Sequence, residues 1–245
     1  MPPEQLPFLT VAIFVIAFLY SSVGHAGASG YIAVMTLFGL TQGVIKPTAL
    51  ILNILVASIG TWQFRRAGHF SWRLFWPFAV LAIPMAFFGG AKSLPPQVFN
   101  WLLGSVLLLS AVRFLFRLSD DSVEHDPPRW VAIPLGGGIA WLGGLTGPGG
   151  GVFLTPLMLF MRWANAKSAA AVTAPFILVV SVSGLLGKLS STRSIPSFAV
   201  SLAVAAVIGG TAGSYLGSKR FNHTVIRRLL AVTLLIAGTK LIFSK

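Results

Sequence analysis

The sequence predicts an all-α, polytopic transmembrane protein built from two inverted repeats, with short broken or re-entrant helices after glycine-rich breaks. Three observations predict it. Of the 245 residues, 55% are hydrophobic and only 9% are charged, whereas a soluble domain carries about a quarter charged residues. Mean hydropathy is +0.84, so the useful unit of length is about 20 apolar residues per span, not about 150 per soluble domain. The Lys and Arg fall mostly in short connections between apolar runs, as the positive-inside rule expects of a bilayer protein.

Residues 1–7 contain Glu4 and no Lys or Arg. The basic segment of a cleaved signal peptide is missing, so the first apolar run, 6–23, is expected to stay in the protein. Long runs follow at 48–64, 74–91, 98–116, 130–145, 169–187, 197–217 and 229–243. Two shorter runs, 30–40 and 152–163, each follow a glycine cluster. Both are too short to cross an apolar core of about 30 Å as a straight helix.

The polar stretch 119–129 holds Asp120, Asp121, Glu124 and Asp126 and closes with Pro127 and Pro128. It reads as a hinge between a first repeat, 1–118, and a second, 130–245. The halves look related. Gly24-His25-Ala26-Gly27 resembles Gly147-Pro148-Gly149-Gly150, 123 residues on, and Gly90-Ala91-Lys92 resembles Gly217-Ser218-Lys219, 127 residues on. Counting each short run as a passage gives ten crossings, five per half, and an odd number turns the second repeat upside down. With the N-terminus outside, twelve of the eighteen Lys and Arg reach the cytoplasmic side, which favours this orientation and places both termini in the periplasm. Fusing each short run to its predecessor gives eight spans and a split of ten against eight, so re-entrant and spanning readings of the short runs both stay open.

A net charge of +13 would suggest nucleic acid in a soluble protein. Here no basic stripe interleaved with aromatics occurs, and lipid headgroups are the expected contact, with no nucleic-acid partner. The absence of cysteine excludes disulfides, thiolate metal sites and thiol nucleophiles. All five carboxylates lie in the N-terminal tail or the hinge, which argues against carboxylate-held metals, aspartyl intramembrane proteolysis and Asp or Glu proton relays. No metal and no cofactor is expected. A pathway free of negative charge in a cationic protein suits an anionic solute. Lys46 and Lys167 read as snorkelling and topology residues, and Trp62, Trp72, Trp101, Trp130 and Trp163 as interface anchors.

The glycine breaks carry the candidate substrate site. A helix that restarts behind such a break offers free backbone N–H groups and the positive end of its dipole to an anion. Two breaks in corresponding places point to a central cavity. The first break supplies Gly24, His25, Gly27, Ser29 and Gly30, and the second Thr146, Gly147, Gly149, Gly150 and Gly151, with Thr173 as a further hydroxyl. His25 is read either as a donor at the substrate or as a helix-end histidine bonding a free carbonyl. Asn53, inside a long run, could hold a ligand oxygen or pair two helices. The competing reading of the glycines themselves is close helix packing by small residues.

The run Gly147-Pro148-Gly149-Gly150-Gly151-Val152, the apolar stretch to Leu159 and the small-residue segment 169–174 resemble the TauE/SafE sulfite exporter family of bacterial membrane transporters, with an echo at 24–31 in the first half. The likeness covers essentially the whole chain. The first half departs from the glycine run, having His25 and Ala26 where the second has Pro148 and Gly149. The resemblance implies a multi-pass carrier in the bacterial inner membrane that exports sulfite or a related anion such as an organosulfonate by alternating access, and no enzymatic activity. Its partners would be a small anionic solute and the lipid bilayer, and a homodimer is compatible with it. Two rivals stand beside it: an anion channel using the same helix ends, and an intramembrane serine protease with Ser29 in the G-x-S-G sequence Gly27-Ala28-Ser29-Gly30. That protease would need a histidine base within reach of Ser29.

Overall fold

The computed structural model describes residues 3–92, 125–147, 149–191 and 199–243, with scattered positions between 95 and 112. The expected hinge is described only from residue 125, and most of the run 98–116 lies outside the described residues. Among the described residues the chain is all-helical. A short 3-10 turn, Pro3–Gln5, precedes α1 (Leu6–Ser21), α2 (Ala28–Leu37), α3 (Gln42–Arg66), α4 (Trp72–Ala79) and α5 (Ala82–Ala91). The second half contributes α6 (Arg129–Thr146), α7 (Gly151–Phe160), α8 (Ala166–Ser191), α9 (Ala199–Lys219) and α10 (His223–Phe243).

The helix boundaries follow local chemistry. Pro7 in the first turn of α1 loses no intrahelical bond, because the first N–H groups of a helix have no partner in it. The Ser71 hydroxyl accepts from Leu74 N–H at the start of α4, and Asn165 Oδ1 accepts from the N–H groups of Lys167 and Ser168 at the start of α8. Both are side-chain caps for otherwise orphaned donors. The run expected at 74–91 is not one straight helix. It bends by 42° between α4 and α5, where Pro84 cannot donate to the Val80 carbonyl and its ring crowds that oxygen.

Among the described residues, three helices are long and apolar enough to cross a membrane on length and composition: Gly43–Arg66, Ala166–Ser190 and Ala199–Lys219, with the bent α4–α5 pair a fourth if counted as one span. α1, with 16 residues, and α7, with 10, are shorter apolar helices. Large apolar side chains face outward on several helices, among them Phe8 and Val11 on α1, Phe88 on α5, and Val200 and Ile208 on α9. In water such a surface would aggregate; against lipid tails it is the ordinary state. Trp62, Trp72, Trp101 and Trp130 are exposed as interface anchors should be, but Trp163 is buried and packs against Phe78 at 5.9 Å.

The packing exchanges one element between the halves. One core cluster joins α1, α2 and α3 to Leu202, Ala205 and Ala206 of α9. The other joins α6, α7 and α8 to Phe75, Phe78 and Ala86 of the α4–α5 pair. Each half therefore completes its core with the fourth segment of the other, while α3 and α8 pack against each other.

Small residues make the exchange possible. Gly209, Gly213 and Gly217 recur every fourth residue along α9, where a Cβ would overlap the carbonyl oxygens of Phe14, Phe18 and Ser22, equally spaced along α1 and its C-cap. On the other side, Gly136 and Gly144 of α6 meet the carbonyls of Phe78 and Ala86 in the same way. This is close backbone contact of the small-xxx-small kind, which in lipid replaces the hydrophobic drive for helix association. Replacing Gly213 by Leu should therefore lower stability by about 1–3 kcal/mol through overpacking, while Gly43→Ala, with nothing within 4 Å of the added carbon, should leave it unchanged or slightly raised. Thermal unfolding of the two purified variants in detergent, followed by size-exclusion profile, checks the contrast.

Candidate functional site

Both short helices start from glycines in the left-handed region, where a side chain would be strained. Gly27 (φ 101°) precedes α2 and Gly150 (φ 74°) precedes α7. In α7 the first intrahelical bonds run from Phe153 and Leu154 N–H to the Gly150 carbonyl, which leaves the Gly151 and Val152 N–H groups without an intrahelical acceptor. In α2 the corresponding first bond runs from Tyr31 N–H to the Gly27 carbonyl.

One side chain links the two breaks. Asn53, fully buried in α3, accepts the Ala28 N–H on its Oδ1 at 3.1 Å and donates from Nδ2 to the Ser181 hydroxyl of α8 at 3.3 Å. A Cβ on Gly149 would come within 2.9 Å of both Asn53 Nδ2 and Ser181 Oγ, so this glycine allows the second break to reach the amide. Asn53 thus acts as an N-cap delivered from another helix, and it pairs helices as well.

A second connection crosses between the halves. His25, in the first break and 2% exposed, is bonded through Nε2 to the Thr155 hydroxyl of α7 at 3.0 Å, and Thr155 in turn shares a 2.7 Å bond with Thr173 of α8. His25 Nδ1 has no partner at hydrogen-bond geometry, and the backbone of Gly151 lies beside the ring. Ser29 donates to the Tyr20 hydroxyl at 3.3 Å. The buried Tyr31 hydroxyl has no partner and sits 2.9 Å from where a Gly27 side chain would begin.

The residues singled out in the sequence divide accordingly. His25, Gly27, Asn53, Gly149, Gly150, Gly151 and Thr173 come together around the two helix starts. Gly24 serves contact with Ala170, and Gly30 packs against Ile16 and Tyr20. Thr146 bonds back to the Leu142 carbonyl of its own helix, and Gly147 ends α6 in the left-handed region near Ile32 and Lys46. Lys46 donates to the carbonyls of Gly90 at 3.0 Å and Lys92 at 3.1 Å, where it caps the C-terminal end of α5. The histidine that a protease reading would pair with Ser29 is bonded to Thr155 instead.

Sequence reasoning did not single out Thr155, Ser181, Tyr20 or Tyr31 as site residues. Thr155 carried a readable signal, being a hydroxyl one turn into the glycine-led short run; the others lie in apolar stretches where nothing local distinguishes them.

Spanning apolar helices, an outward apolar surface and two glycine-led helix starts meeting on buried polar side chains define a multi-pass membrane protein of the transporter class. A family model described as sulfite exporter TauE/SafE matches residues 9–241, and the chain belongs to the TauE/SafE family. It is 40% identical over 240 residues to a probable membrane transporter protein of Sinorhizobium fredii, covering 96% of this chain and 97% of that one. It is 22% identical over 200 residues to a probable membrane transporter protein of Methanocaldococcus jannaschii, covering 76% and 73%. No solved structure matches the chain.

Asn53→Leu removes both the cap on Ala28 and the bond to Ser181. The expected cost is about 1–3 kcal/mol for the donors and acceptors left unpaired, with faster amide hydrogen exchange localised to the first turn of α2. Hydrogen–deuterium exchange of the detergent-solubilised variant against the parent reads both the size and the location.

Proposed function

We propose that the protein exports sulfite or a related sulfur-containing anion, such as an organosulfonate, across the bacterial inner membrane by alternating access. The observation that carries this is the meeting of two helix starts, Ala28 and Gly151, on one buried polar cluster. Helix N-termini bind oxyanions through backbone N–H groups and the positive dipole end. The family supplies the solute class, and the absence of any buried carboxylate among the described residues fits a negatively charged cargo.

In this reading the repeats 1–118 and 130–245, joined by the hinge 119–129, are related by inversion, with both termini in the periplasm. The exchanged fourth segments support the relation, since α1 packs on α9 as α6 packs on α5, and α3 on α9 as α8 on α5. The anion is held by the N–H groups of Ser29, Gly30, Gly151 and Val152, with hydroxyls of Thr155, Thr173 and Ser181 and the His25 ring close by. Gly24, Thr146 and Gly147 set the path of the chain around it. Asn53 Oδ1 accepts the Ala28 N–H, and a solute oxygen can take its place. Rocking of one half against the other then exchanges the open side, and the His25–Thr155 bond crosses the moving boundary.

Flux in proteoliposomes tests the proposal. Saturable sulfite movement, competed by an organosulfonate, is expected; no movement of either anion by correctly folded protein would sink it. Imposing the membrane potential and the pH gradient separately identifies the driving force. His25→Ala should lower transport or remove its pH dependence, and a pH profile unchanged from the parent would take His25 out of the mechanism.

A further inference from the structure

The charge available at the two helix starts limits what they can hold. Each half-helix presents the equivalent of roughly +0.5 elementary charge at its N-terminus, so α2 and α7 together offer about one positive charge. No Lys or Arg among the described residues is buried. Lys46 has its Cγ 3.6 Å from where a Gly147 side chain would begin, but its ammonium donates to the Gly90 and Lys92 carbonyls, at the negative end of α5. Arg66 lies over Trp62, Arg129 over Trp76 and Lys219 over Tyr215, all at helix ends.

The rest of the site is made of neutral donors. It consists of hydroxyls, one amide and the His25 ring, and two buried polar atoms there, His25 Nδ1 and Tyr31 Oη, lack partners. Polar atoms buried without partners are costly, and a bound oxyanion is the kind of group that would satisfy them. A second negative charge on that oxyanion would meet no compensating cation, and an uncompensated charge out of water is strongly disfavoured.

We infer that the site selects an oxyanion head carrying one negative charge, a sulfonate or hydrogensulfite, and rejects a dianionic head such as sulfate or the sulfite dianion. This rests on the anion-site reading above and specifies its ligand.

Methanesulfonate and sulfate are a matched pair for the test, since they are nearly the same tetrahedron and differ by a methyl group in place of one charged oxygen. Fluorosulfate, with fluorine in that position, keeps the single charge without the methyl. Affinities of the three for the full-length protein in detergent would be measured by ligand-dependent thermal stabilisation at constant ionic strength. The expectation is that methanesulfonate and fluorosulfate both bind at least about tenfold more tightly than sulfate, a difference of about 1.4 kcal/mol or more. Sulfate binding as tightly as methanesulfonate would overturn charge selection while leaving the anion site standing. Fluorosulfate behaving like sulfate would also overturn it, by showing that the methyl contact and not the charge discriminates. Binding of none of the three, by protein that unfolds cooperatively, would overturn the anion site itself and this inference with it.

Discussion

A backbone N–H group with no partner is expensive wherever water is scarce, and that constraint organises this molecule. Two of its helices start behind left-handed glycines in the interior, so donors are exposed where neither water nor an earlier turn of helix can take them. Asn53 answers the first break from a neighbouring helix, and its other end reaches the helix beside the second break. The position of α3 against α8, the need for glycine at 149 and the placing of Ser181 all follow from keeping that one amide within reach of both sides.

The same scarcity of water explains how the helices associate. Lipid tails are as apolar as leucine, so burial alone does not draw helices together, and close backbone contact has to do so. The glycine ridge of α9 lies on the carbonyls of α1, and the glycines of α6 lie on those of α4 and α5. Each contact carries a segment of one half into the core of the other. The polar side chains Asn53, Ser181, His25, Thr155 and Thr173 lie among these packed helices and bond across them.

Charge is distributed to match. Several cations lie over aromatic rings or against carbonyls at helix ends, and the exposed pair Arg73–Asp126, 2.7 Å apart, ties the start of α4 to the segment before α6. The interior between the breaks keeps neutral groups and helix dipoles.

The membrane class, the helix runs other than 74–91 and 98–116, and the two breaks were legible in the sequence because each depends on local or additive properties. Apolar content sums along the chain, and a left-handed turn favours glycine whatever surrounds it. The starts of α2 and α7 fall within two residues of the short runs expected from the sequence, and Asn53 stood out as a polar residue in an apolar run. What only the tertiary structure decided is which groups meet. His25 finds Thr155 across 130 positions and Asn53 finds Ser181 across 128. Lys46, legible as a topology residue, turned out to cap a distant helix end, and Trp163 turned inward. Hydrogen bonds are short and directional, so their partners are fixed by how α3, α8 and the exchanged segments pack. No local pattern of residue types encodes that packing.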